Sequence, residues 1–224
     1  MHRCHYTACP QRTHHLAGPM ESIAHDHQLR ALLKSHLSTR VGDDDLLVDE
    51  FSLAYGTVRA DLALVNGHLE GFEIKAGKDT LERLLNQVES YGKVFEYSWV
   101  VTTEGHLRAA RALVPKHWGL LVAVADFDGS RLRQVRKAQR NRGLEAEHLA
   151  RLLWRDEVMV KLEELGLSTG LRSKPKVALF AELAKALPVQ DLAAYVRGCL
   201  KARKDWRVDA GPHGYGGSLR RAAR

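Results

Sequence analysis

Arg59–Tyr91, RADLALVNGHLEGFEIKAGKDTLERLLNQVESY, has the pattern of two strands and a helix. Val58 to Val65 is rich in apolar and β-branched residues. Asn66-Gly67 is a strong hairpin-turn signal, and His68 to Lys75 returns as a second strand. Ala76-Gly77-Lys78-Asp79 breaks the pattern, and Asp79 or Thr80 can cap a following helix with Leu81, Leu84, Leu85 and Val88 as its apolar face. Two carboxylates, Asp61 and Glu73, therefore lie on paired strands.

Register decides whether they cooperate. With a two-residue turn, Val65 faces His68 and Asp61 sits opposite Phe72, so Asp61 and Glu73 point to opposite faces. A longer turn, or a bulge at Gly67 or Gly71, brings Asp61 level with Glu73, and this is the register expected. Lys75 follows Glu73 by two and shares its face in any register. A pair of carboxylates suits a hard divalent cation such as Mg²⁺ or Mn²⁺, and a lysine beside them can orient water or offset charge on a phosphate. Carboxylate, carboxylate and lysine together make a phosphodiesterase site.

Asp61, Glu73-Ile74-Lys75, and Gln87 with Tyr91 in Q-x-x-x-Y spacing resemble the PD-(D/E)XK nuclease superfamily, in particular its branch with RecB-like nuclease domains. The runs Val48-Asp49-Glu50, Phe72-Glu73-Ile74-Lys75, Thr80-Leu81, Arg83-Leu84 and Leu153-Trp154-Arg155-Asp156-Glu157 are similar to the sce-type family of bacterial and phage proteins, over roughly Ile23 to Arg207. The resemblance implies metal ligands at Asp61 and Glu73, a catalytic lysine at Lys75, supporting roles for Gln87 and Tyr91, and an α/β, restriction-endonuclease-like core with a mixed central sheet flanked by helices. Ala60 stands where the superfamily name has proline, and no helical acid is evident before the first strand.

The 224 residues can hold a large core, and 45% hydrophobic with 27% charged content is that of a soluble globular protein. No apolar run reaches the roughly 18 residues of a membrane span. The start, MHRCHYTACPQRTHH, lacks the apolar centre of a secretory signal, so the expected location is cytoplasmic, with Met20 a candidate natural start. Cys4, Cys9 and Cys199 form no disulfide framework, and the Cys and His residues near the start fit no zinc spacing. Residues 1–126 carry 13 Lys+Arg against 16 Asp+Glu, a balance of −3; residues 127–224 carry 21 against 11, a balance of +10. An acidic catalytic half and a basic half that holds a polyanion is one division consistent with this.

In chain order, Ile23 to Leu37 has a helical apolar stripe with Arg30, Lys34 and His36 on its other face. Asp43-Asp44-Asp45 reads as a solvated turn. Leu46 to Leu53 reads as the first strand, in which alternation lets only one of Asp49 and Glu50 face the site; Glu50 is the candidate third acidic ligand. Arg59 can fork onto a phosphate or pair with Glu50 or Asp61. Arg83 lies one turn before Gln87. Tyr91 can stack on a base, bond a phosphate or cap the core. Tyr97–Thr102, Glu104–Leu113 and Gly119–Ala125 read as strand, helix and strand with parallel pairing.

Ser130–Arg142, SRLRQVRKAQRNR, has six basic residues and no acid; it reads as a phosphate-binding face or a solvated connector, with Arg133, Arg136, Lys137 and Arg140 as nucleic-acid contacts. From Glu145 the chain is helical, with starts at Pro175 and at Pro188 or Gln190. These helices outline either a duplex-reading module or a cap packed on the core or on another subunit or partner. The expected division is a disordered leader over 1–20, a nuclease-like core over 21–142, an all-α appendage over 143–208 and a disordered tail over 209–224. The expected function is a Mg²⁺- or Mn²⁺-dependent nuclease acting on DNA. The alternative is a nuclease fold without turnover that binds nucleic acid or assembles with proteins.

Overall fold

The strand carrying Glu73 and Lys75 is buried along its whole length, which places it inside a sheet covered on both faces. The computed structural model describes residues 25–53, 56–76, 82–126 and 129–203. In order these form α1 (Asp26–Ser38), β1 (Leu46–Leu53), β2 (Val58–Val65), β3 (Leu69–Lys75), α2 (Glu82–Val94), β4 (Tyr97–Thr103), α3 (Glu104–Leu113), β5 (Gly119–Asp126) and β6 (Gly129–Arg136), then α4 (Ala146–Ala150), α5 (Arg155–Glu164), α6 (Lys176–Ala186) and α7 (Val189–Ala202). The expected α/β class is the class observed.

The six strands lie in chain order across one sheet. β1, β2 and β3 form an antiparallel meander, β3, β4 and β5 are parallel through α2 and α3, and β6 returns antiparallel. Leu29, Leu33 and Leu37 of α1 cover one face, against Leu62, Leu64, Phe72 and Ile74. The other face buries Ala63, Val65 and Leu69 with Leu84 and Tyr91 of α2, Ala110 of α3, and a long apolar set from α4 to α7. The C-terminal helices are thus the cap on the core. A Cβ on Gly71 would overlap the Phe95 ring, and one on Gly119 the Trp99 ring, so both glycines allow an aromatic to lie against the sheet.

Of the local readings, one holds and two change. The β2–β3 connection holds three residues, with Val65 opposite Leu69 and Leu62 opposite Phe72, so the longer turn is the one present. Residues 130–136 of the basic run form edge strand β6, with Leu132 buried on one face and Val135 partly buried on the other; a charged edge strand blocks further strand addition, and the charged and polar residues around these two mask the alternation. On α2, Leu85 is 55% exposed while Leu84 is buried, since adjacent helical positions point about 100° apart. Leu81, the Asp79 or Thr80 cap, Ile23 and the 1–20 and 209–224 segments lie outside the described residues.

Candidate functional site

The three-residue turn sets every β2–β3 pair, and extending its register places Asp61 level with Glu73. The ladder stops one rung short, at Leu62 and Phe72. Asp61 Oδ2 instead accepts the Ile74 N–H at 2.7 Å, so its carboxylate fills the gap where the strands splay.

The rung one strand outward is also irregular. Asp49 pairs with Leu62 and Phe51 with Ala60, leaving Glu50 between them opposite Asp61, with φ 50°, a left-handed conformation uncommon for glutamate. Leu46 and Phe51 both join the cluster on the α2 face, as do Ala60 and Ala63, so alternation slips by one at this level in both strands. Strict alternation therefore could not assign the faces of Asp49, Glu50 or Asp61.

Glu73 is the centre of the site. It is 2% exposed, and Lys75 Nζ lies 2.8 Å from its Oε1. Gln87 Nε2 also donates to Oε1, and the Tyr91 hydroxyl donates to Oε2 at 2.6 Å. Gln87 and Tyr91 reach it together because residues four apart share one helical face. Burial, and then the charge of Asp61, push the Glu73 carboxyl up to about 7. Burial likewise raises Asp61, against the Ile74 N–H and Arg30. The Thr102 hydroxyl donates to the Lys75 carbonyl at 2.9 Å, fixing the end of β3 to β4. Tyr91 is fully buried with its ring on Trp118, so it cannot stack on a base; of the roles foreseen for it, core packing and support of Glu73 remain.

Arg30 was not singled out as a site residue, yet its guanidinium lies 3.0 Å from Asp61 Oδ1 and 3.1 Å from Glu50 Oε1, and also donates to the Asp61 carbonyl. Its spacing from Lys34, which bonds Asp49 at 2.7 Å, was the available signal: two cations on one face of α1 facing a strand with two acids. Glu50 is half exposed and held by Arg30 and, at 3.6 Å, by Arg59. Arg59 thus takes the pairing role with Glu50. Among the described residues no group of three or more His, Cys, Asp or Glu side chains converges to hold a metal ion, so Glu50 does not complete a three-acid cluster.

The donor set of Asp61 and Glu73 nevertheless fits a hard divalent cation. Two like-charged carboxylates, both raised by burial, are stabilised in their ionised forms by such an ion, and Mg²⁺ commonly takes one or two carboxylates and keeps waters. Gln87 Oε1 is buried without a hydrogen-bond partner, an acceptor suited to such a water.

The remaining basic candidates are dispersed. Arg83 and Lys137 are exposed. Arg133 bonds Glu104 at 2.8 Å, and Arg136 is engaged by the Trp118 and Pro115 carbonyls, which removes it from a free phosphate-binding face. Arg140 lies at the opposite end of the sheet, beside Glu96 and Gln190.

A family model described as Bacteriophage P4 protein cII matches residues 21–209. Protein cII of Enterobacteria phage P4 is 40% identical over 58 residues, which are 26% of this chain and 22% of that relative's length. Among solved structures, a protein of unknown function from Silicibacter pomeroyi superposes with a TM-score of 0.41 at 19% identity, over 66% of this chain and 94% of that one. None of these descriptions names a reaction.

Proposed function

The chain belongs to the bacteriophage P4 protein cII family, and from its site we propose that it is a Mg²⁺- or Mn²⁺-dependent nuclease of the PD-(D/E)XK kind that hydrolyses phosphodiester bonds in DNA. The observation that carries this reading is the convergence of Lys75, Gln87 and Tyr91 on Glu73, with Asp61 close enough to raise it further. Asp61 and Glu73 would hold the cation, which when bound supplies Lewis acidity towards phosphate oxygens and water. Lys75 positions the attacking water and offsets charge on the phosphate. Gln87 orients that water through its unpaired Oε1, and Tyr91 fixes Glu73. Arg83 and the basic second half supply sequence-independent attraction for the backbone. No helix among the described residues is long and apolar enough to cross a membrane. A cytoplasmic setting suits both a nucleic-acid substrate and the free thiol of Cys199.

A second reading has its own observation. Every oxygen of Asp61 and Glu73 already has a protein partner, which favours a nuclease fold retained for binding or assembly without turnover. A Mg²⁺ or Mn²⁺ titration against a panel of labelled nucleic acids separates the two. The nuclease reading expects cation-dependent cleavage that falls at least about 100-fold in Asp61→Ala and in Lys75→Ala with circular dichroism unchanged. Equal cleavage by both variants would refute the site, and binding without any product would establish the second reading.

A further inference from the structure

The end of the sheet far from Lys75 carries a cleft of about 770 Å³ lined by His117, Gln139, Arg140, Asn141, Arg142 and Gln190. No carboxylate is among its described lining residues. Glu96, adjoining Arg140, is 1% exposed and already neutralised by Arg197 at 2.6 Å and by the Leu69 N–H at 2.9 Å. Arg140 spends one nitrogen on Glu96, at 3.4 Å, and on Gln190, which leaves guanidinium N–H groups for another acceptor. Arg142 is exposed, and its side chain has no hydrogen bond or ion pair to the described residues. His117 Nε2 is buried and has no hydrogen-bond partner.

The walls are fixed in place by other bonds. The Gln139 N–H donates to the His117 carbonyl at 2.8 Å, and Asn141 donates to the Gly92 and Phe95 carbonyls at 2.6 and 3.0 Å while accepting from the Gly143 N–H at 2.8 Å. The exposed guanidinium groups of Arg140 and Arg142 and the exposed side-chain amides of Gln139 and Gln190 form a recognition set for a phosphate group.

We propose that this cleft is a second phosphate site, which anchors the backbone of the nucleic acid away from the Asp61–Glu73 centre. It rests on the nuclease reading only for the identity of the polymer. Glu96 bonds Leu69 at the start of β3 and Glu73 lies four residues further along that strand, so the anchor and the centre lie about 13 Å apart at roughly 3.3 Å per residue. That span corresponds to about four nucleotides of one strand.

The test is equilibrium binding of a labelled DNA duplex in EDTA, between about 50 and 200 mM salt, with the full chain. Arg142→Gln is the main variant because it breaks no hydrogen bond or ion pair to the described residues, and Arg140→Gln/Arg142→Gln extends it. The log–log salt slope should flatten by about 0.9 in the single variant and about 1.8 in the double, with affinity near 100 mM salt falling about tenfold per lost contact. Unchanged slope and affinity in both variants overturn the proposal. So does Arg142-dependent binding of inorganic phosphate or pyrophosphate with duplex binding untouched, which would identify a free phosphate ligand. A flattened slope in a protein that cleaves nothing with Mg²⁺ would keep the anchor and sink the nuclease.

Discussion

Glu73 sets the pH behaviour of the site. Its carboxyl is raised from about 4.5 to about 7, so the folded protein binds this proton more tightly than the unfolded chain. The resulting stabilisation is complete below the unfolded value and is lost as pH rises from about 4.5 to about 7, a total of about 3 kcal/mol at 1.36 kcal/mol per unit. Chemical denaturation at about pH 5 and about pH 8 should therefore show wild-type stability falling relative to Glu73→Gln over that interval. Parallel pH profiles would contradict the assignment. The chemistry at this scale was legible in sequence, because Glu73 and Lys75 share a face in any register and Gln87 and Tyr91 share one helical turn. Arg30 was not, since its reach to Asp61 depends on how α1 crosses the sheet, and no local pattern encodes that.

The elements hold that geometry through register and close approach. Asn66-Gly67 marked a hairpin correctly, yet the connection takes His68 as well, and that single residue decides whether Asp61 and Glu73 meet. The pleat slip at Glu50 was hidden because a left-handed glutamate has no sequence signature. Strand β6 was hidden because an edge strand needs few inward residues, here Leu132 and Val135, and the charges around them read as a connector. Gly71 is the element-scale test. It opposes Ala63 on β2, and a methyl group there would run into the Phe95 ring that packs on Tyr91. Gly71→Ala should cost about 1–3 kcal/mol by overpacking and should displace α2 from Glu73. The readouts are the denaturation midpoint and cation-dependent activity, and a fully stable, fully active variant would contradict this packing.

At the scale of the molecule, the helices after residue 145 supply Leu149, Val158, Leu162, Leu179, Leu183 and Val196, and the α4–α5 turn supplies Leu153, to the cluster that also buries Tyr91 and Trp118. The sequence marked these helices through their apolar spacing and proline starts, but their shared core with the sheet is a long-range fact that periodicity cannot give. The chain should unfold in one cooperative transition, and a version ending at residue 145 should lose that transition and aggregate, because the α2 face of the sheet would be left bare. Calorimetry of both proteins checks this; an independently folding shorter chain would show that the helices are a separate unit.

The proposed nuclease needs Asp61 and Glu73 to share one divalent cation, and calorimetric titration of the full chain with Mn²⁺ is the decisive experiment. One site is predicted, lost in Asp61→Ala and in Glu73→Gln, with affinity rising up to about tenfold per pH unit below about 7, where Glu73 must release its proton. No Mn²⁺ binding by the wild type, or equal binding by either variant, would contradict it.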